Sequence, residues 1–90
     1  MEHELRLDHA SDLISQIGRV IRQLRLEQGI TPSEFAEDIC RIPSFVRRLE
    51  NGLVDDLDLI TLEKCAKALH VDVDILLSSE LHHETPGLHR

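Results

Sequence analysis

Residues 31–52 read TPSEFAEDICRIPSFVRRLENG, and two helix starts are written into them. Thr31 followed three residues later by Glu34 forms a capping box, in which side chain and backbone satisfy each other's orphan donors. Pro32 takes the first helical position, where its missing N–H costs nothing. Phe35, Ala36 and Ile39 then supply an inward face. Pro43 opens a second short helix in the same way, Val46 and Leu49 turn inward, and Gly52 ends it. Only Cys40, Arg41 and Ile42 separate the two.

Three more helices flank this pair. Upstream, Ile14, Ile17, Ile21 and Leu24 recur at spacings of three and four, with Val20 on the flank, which predicts an amphipathic helix over Asp12 to Gln28. Ser11 is its expected N-cap and Gly29 its stop. Downstream, DDLDLITLEKCAKALH predicts a fourth helix with Asp58 as N-cap and Leu59, Leu62, Cys65, Ala66 and Leu69 inward. A short fifth follows from Val73 to Leu77, capped by Asp72. No strand pattern and no internal repeat is present. Short links between short helices predict a compact all-α domain over residues 12–80. A flexible N-terminal arm (1–11) and a flexible C-terminal tail (81–90) are expected to flank it.

Composition narrows the function. Ninety residues suffice for one core, and Phe35 and Phe45 are the only aromatics, so that core is mainly aliphatic. No long uncharged apolar run suits a membrane span, and MEHELRLDHA lacks the apolar segment of a secretory signal, so a cytoplasmic protein is expected. Cys40 and Cys65 lack metal-like spacing and read as reduced thiols. His3, His9, His70, His82, His83 and His89 form no metal-ligand or triad arrangement. His70 reads as a cap at the end of the fourth helix. With no Gly-rich phosphate loop and no nucleophile motif, neither an enzyme nor a cofactor is expected.

Charge is the odd feature. The chain carries a formal net charge of −7, yet Arg41, Arg47 and Arg48 fall within one short segment. Uniform acidity argues against nucleic acid, because phosphate neutralisation dominates that affinity; a local basic island is compatible with it. Two short helices joined by so tight a turn also have the geometry of a helix-turn-helix, whose second helix can enter a DNA major groove.

The segments IGRVIRQLRLEQGIT, EFAEDI, VRRLENG and LITLEKCAKALHVDVDILL, in this order, make the chain resemble the Cro-type (lambda-repressor-like, XRE-type) helix-turn-helix family over residues 17 to 77. The resemblance implies a five-helix domain that acts as a sequence-specific DNA-binding transcriptional regulator, with the third helix in the major groove of double-stranded DNA. It implies a structural ion pair between Arg25 and Glu50. The DNA-facing set it implies is Thr31, Ser33, Pro43, Ser44, Phe45, Arg47, Arg48 and Asn51. Arginine suits the outward positions because its planar fork grips either guanine or phosphate. Ser44 can bond a phosphate, and Phe45, expected outward, can meet a thymine methyl.

Departures from the family pattern shape a second reading. Pro32 stands where glutamine is common, Ile42 and Pro43 replace polar residues, and Asp55 and Asp56 follow the third helix where relatives are often basic. Modest affinity with a shallow salt dependence is therefore expected. The alternative is a protein-interaction module, antitoxin-like or a subunit of a regulatory complex, binding its partner through Phe45, Arg47 and Arg48. For the DNA-binding reading a homodimer is expected, with contacts from Val71 to Leu81, because one recognition helix reads only a few base pairs.

Overall fold

The computed structural model describes the backbone of residues 2–77 and the side chains of residues 12–77. Five helices follow one another: α1 (Glu2–Glu27), α2 (Pro32–Asp38), α3 (Pro43–Glu50), α4 (Leu59–Ala68) and α5 (Val73–Leu77), with no strand among the described residues. The all-α expectation holds. One boundary differs: α1 begins at Glu2 and not at Asp12, so Ser11 lies within the helix instead of capping it. The expected tail, the last residues of the expected dimer segment and five of the six histidines lie outside the residues whose side chains are described.

Each inward stripe converges on one core. α1 contributes Ile17 and Ile21, α2 Phe35 and Ala36 with Ile39 just past its end, and α3 Phe45, Val46 and Leu49. α4 adds Leu62, Cys65 and Ala66 with Leu69 as its C-cap, and α5 adds Leu76. Burying each large aliphatic side chain stabilises the fold by roughly 1.5–3 kcal/mol. Leu59, expected inward, is 61% exposed, and Thr61 is buried in this turn. As the first residue of α4, Leu59 falls beyond the edge of the core that receives Leu62. Burial also pushes the Cys65 thiol up to about 12, so it stays protonated and behaves as a small apolar side chain.

Four helices stop in the same way. A residue with φ between 60° and 72° follows each of them: Gly29, Cys40, Gly52 and His70. The next N–H then reaches back to close the last turn: Ile30 to the Arg25 carbonyl (3.0 Å), Arg41 to Ala36 (2.8 Å), Leu53 to Arg48 (2.8 Å) and Val71 to Ala66 (3.0 Å). This is the Schellman arrangement, which favours glycine at the left-handed residue. Gly29 and Gly52 were legible as stops; Cys40 and His70 do the same with a Cβ present.

The starts are capped as expected in two cases. The Thr31 hydroxyl accepts from the Glu34 N–H (3.1 Å), while the Thr31 N–H donates to Glu34 Oε1 (3.0 Å). Asp58 Oδ1 accepts from the Thr61 N–H (2.7 Å), and hydrogen bonding from Thr61 holds the Asp58 carboxyl below its ordinary range. The start of α3, after Ile42, has no side-chain cap.

Candidate nucleic-acid interface

Helix α3 is fastened on its inner side by apolar contacts and at its end by charge. Val46 and Leu49 are fully buried, and α3 packs against both α2 and α1. Where α3 meets α1 the backbones nearly touch: a Cβ added to Gly18 would stand 2.1 Å from the Leu49 carbonyl oxygen. Only glycine permits that approach, a close-packing role the sequence reading did not assign.

At the end of α3, Glu50 closes a bidentate pair with Arg25. Nε donates to Oε2 at 2.7 Å and Nη2 to Oε1 at 2.9 Å, while Nη1 donates to the Ile30 carbonyl at 2.8 Å. Both side chains are 7% exposed. Hydrogen bonding to Glu50 raises the Arg25 pKa above its ordinary value, so the guanidinium is charged at any working pH. The ion pair implied by the resemblance is therefore present, and it removes Arg25 from the surface.

With the inner side so fixed, Ser44, Arg47 and Arg48 are exposed on the outer side of α3. Phe45 is not with them. It is 5% exposed and belongs to the core, so the expected outward contact with a thymine methyl, or with a partner's pocket, does not apply. The physical reason is helical spacing: Phe45 precedes Val46 and lies one turn from Leu49, which leaves it on the edge of the inward stripe. Two guanidiniums lie over its ring. The Arg41 Cζ stands 4.1 Å from the ring centroid and the Arg48 Cζ 6.0 Å.

The remaining expected residues divide. Thr31 and Ser33 are exposed at the start of α2, and Pro43 is half-buried at the start of α3. Thr31 is engaged by its capping box, which also places the Glu34 carboxylate in the first turn of α2, where a phosphate would otherwise be welcomed. Asn51 is exposed, but its side-chain N–H donates to the Arg47 carbonyl at 2.9 Å, closing α3. Asp55 and Asp56 are exposed in the segment after α3. Sequence reasoning missed Arg41 and Thr61, whose side chains meet at 3.3 Å. A signal for Arg41 was present in the third arginine of the basic island, but its neighbour across twenty residues was not.

An all-α domain whose tight corner presents a short, outwardly basic second helix is a helix-turn-helix module. The Helix-turn-helix family model matches residues 21–76. The chain belongs to the helix-turn-helix family of DNA-binding transcriptional regulators. Among solved structures, it is similar to the restriction-modification controller protein C.AhdI from Aeromonas hydrophila, at 28% identity over 72% of this chain and 96% of that one, with a TM-score of 0.66. The clp gene regulator ClgR from Corynebacterium glutamicum is similar at 26% identity over 84% of this chain and 85% of that one, with a TM-score of 0.70. A chain of the SinR protein/SinI protein complex shares 29% identity over 78% of each, with a TM-score of 0.64. No curated protein matches the sequence.

Proposed function

We propose that this regulator lays α3 in the major groove and reads DNA with Ser44, Arg47 and Arg48. The observation that carries the reading is the division of α3: buried Val46 and Leu49 hold it, and both arginines next to them are exposed. A guanidinium can bind guanine O6 and N7 or hold a phosphate, and the uncapped start of α3 leaves backbone donors open to a phosphate beside Ser44. Thr31 and Ser33 add a weaker backbone contact, because Glu34 and Pro32 reduce what the start of α2 can offer. Few cationic groups are thus available for phosphate, so the logarithm of affinity falls shallowly with the logarithm of salt, by about 0.9 per phosphate neutralised.

A second copy of the chain is the proposed partner in this function, since a dimer reaches two half-sites about one helical turn apart. Leu77, 42% exposed on α5, supports the expected dimer segment. A protein partner is the second reading. Leu53, Leu59 and Ile60, each more than 60% exposed, favour it, with the SinR/SinI complex as a structural likeness. It would not use Phe45.

The test is fluorescence anisotropy on a duplex from upstream of the gene and on its shuffled counterpart. The wild-type chain should prefer the former by on the order of a thousandfold. Arg47→Ala and Arg48→Ala should each reduce that preference while melting normally. Equal binding of the two duplexes by a folded wild-type chain would sink the DNA reading in favour of the protein partner.

A further inference from the structure

Arg41 is the third arginine of the basic island, and it does not stand on α3. It begins the turn, its N–H closing α2 on the Ala36 carbonyl at 2.8 Å. Its guanidinium lies over the Phe45 ring, 4.1 Å from the centroid, and Nη2 donates to the Thr61 hydroxyl on α4 at 3.3 Å. Thr61 is itself buried and fixed through the Asp58 cap. Arg41 therefore joins three elements: its backbone closes the end of α2, and its side chain bridges the first turn of α3 and the first turn of α4.

The second cation near that ring is Arg48, whose Cζ is 6.0 Å from the centroid, at the outer limit of a cation–π contact. Arg41 holds the closer place. A guanidinium stacked on a ring and bonded by a second group is restricted in both tilt and position, and the ring it fixes is a wall for the exposed arginine one turn along α3.

We propose that Arg41 is a positioning residue for DNA reading: through Phe45 and Thr61 it orients the first turn of α3 and confines Arg48, without gripping phosphate itself. The inference rests on the DNA reading above. It assigns sequence preference to a residue outside the recognition helix, and it separates the island into two reading arginines and one that aims them.

The full chain, as wild type and as Arg41→Ala, Arg41→Lys, Thr61→Val, Thr61→Ser, Arg48→Ala and the Arg41→Ala/Arg48→Ala pair, would be titrated with the specific and shuffled duplexes over a salt series, with melting curves alongside. Arg41→Ala should weaken specific binding about tenfold, leaving shuffled-duplex binding and the salt slope unchanged. Arg41→Lys, which keeps the charge but not the planar fork, should resemble Arg41→Ala. Thr61→Val should move the same way and Thr61→Ser should not. Arg48→Ala should cost less in the Arg41→Ala background than alone.

Three results would overturn the proposal. If Arg41→Lys binds as wild type and Arg41→Ala lowers the salt slope by about one, Arg41 grips a phosphate. If Arg41→Ala lowers the melting temperature but its folded fraction binds with wild-type affinity, the stack is structural only. If wild type itself does not prefer the specific duplex, the DNA reading fails and this inference fails with it, a result distinct from the other two.

Discussion

Arg25 and Arg48 carry the same guanidinium to opposite sides of α3. On the inner side Arg25 has all three of its nitrogens engaged, by Glu50 and by the Ile30 carbonyl, and is 6% exposed. On the outer side Arg48 is exposed, its Cζ 6.0 Å from the centroid of a single ring. A buried arginine with its donors satisfied belongs to the architecture, because removing either partner strands a charge. An exposed arginine contributes little to folding and is available to a ligand. On the proposed reading, one short helix thus keeps stability and recognition on separate faces, and Phe45, inward where an outward residue was expected, marks the border.

The largest effect should come from breaking the inner side. Arg25→Ala leaves Glu50 buried without its partner, and the loss is expected to be about 3–5 kcal/mol. At roughly 4–8 °C per kcal/mol for a domain of this size, differential scanning calorimetry would register a fall of more than 10 °C. Arg25→Ala/Glu50→Ala should recover part of it, since no charge is then stranded. A loss below about 1 kcal/mol in Arg25→Ala would place this pair with ordinary surface bridges.

Gly18→Ala should come next. The Cβ would meet the Leu49 carbonyl oxygen at 2.1 Å, and a backbone atom cannot yield as a flexible side chain can. Overpacking of this kind costs about 1–3 kcal/mol, against which alanine's helix propensity returns up to about 1 kcal/mol. Because relief requires α3 to move off α1, DNA affinity should fall together with stability. Urea denaturation and duplex titration on the same sample would show whether the two fall together. Lost stability with unchanged affinity would mean that α3 keeps its seat.

How much of this was readable beforehand follows from the range of the interactions. Capping boxes, proline starts and glycine stops act within a few residues, so α2, α3 and α4 were legible from Thr31, Pro43, Asp58 and Gly52. Ser11 met the local rule for a cap, yet α1 runs through it, because a cap preference is a bias that helix continuation can override. The site was less legible. Whether Phe45 faces in or out depends on the shape of the core it meets, and whether Arg41 is free depends on Thr61, which tertiary packing alone brings near. The Arg25–Glu50 pair, separated by twenty-five residues, was available only through family resemblance.

On the outer side, Arg48→Ala should reverse the pattern seen at Arg25. Its stability should stay within about 0.5 kcal/mol of wild type, as for most exposed substitutions. Its specific affinity should fall by about 1–3 kcal/mol if the guanidinium reads a base. Calorimetry and anisotropy on one preparation give both numbers. A melting temperature lowered as far as in Arg25→Ala would erase the distinction between the two faces.

The smallest effect concerns the turn that joins α2 to α3, and it should be a gain. Cys40 and Gly52 occupy equivalent places after their helices, at φ 60° and 72°, but only the cysteine carries a Cβ into the left-handed region. That conformation costs an L-residue roughly 1–2 kcal/mol. Glycine removes the strain but adds about 0.4–1 kcal/mol of unfolded-state entropy, so Cys40→Gly should stabilise the domain by under about 1 kcal/mol. Cys40 is exposed and lies outside the buried core. Its substitution should leave duplex affinity unchanged, since the Arg41 N–H that closes the turn comes from the backbone. His70→Gly should behave alike at the end of α4, far from α3 in sequence. If Cys40→Gly stabilises and also weakens DNA binding while His70→Gly only stabilises, the strain at Cys40 holds α3 in its reading position, and the turn belongs to the outer face rather than the inner one.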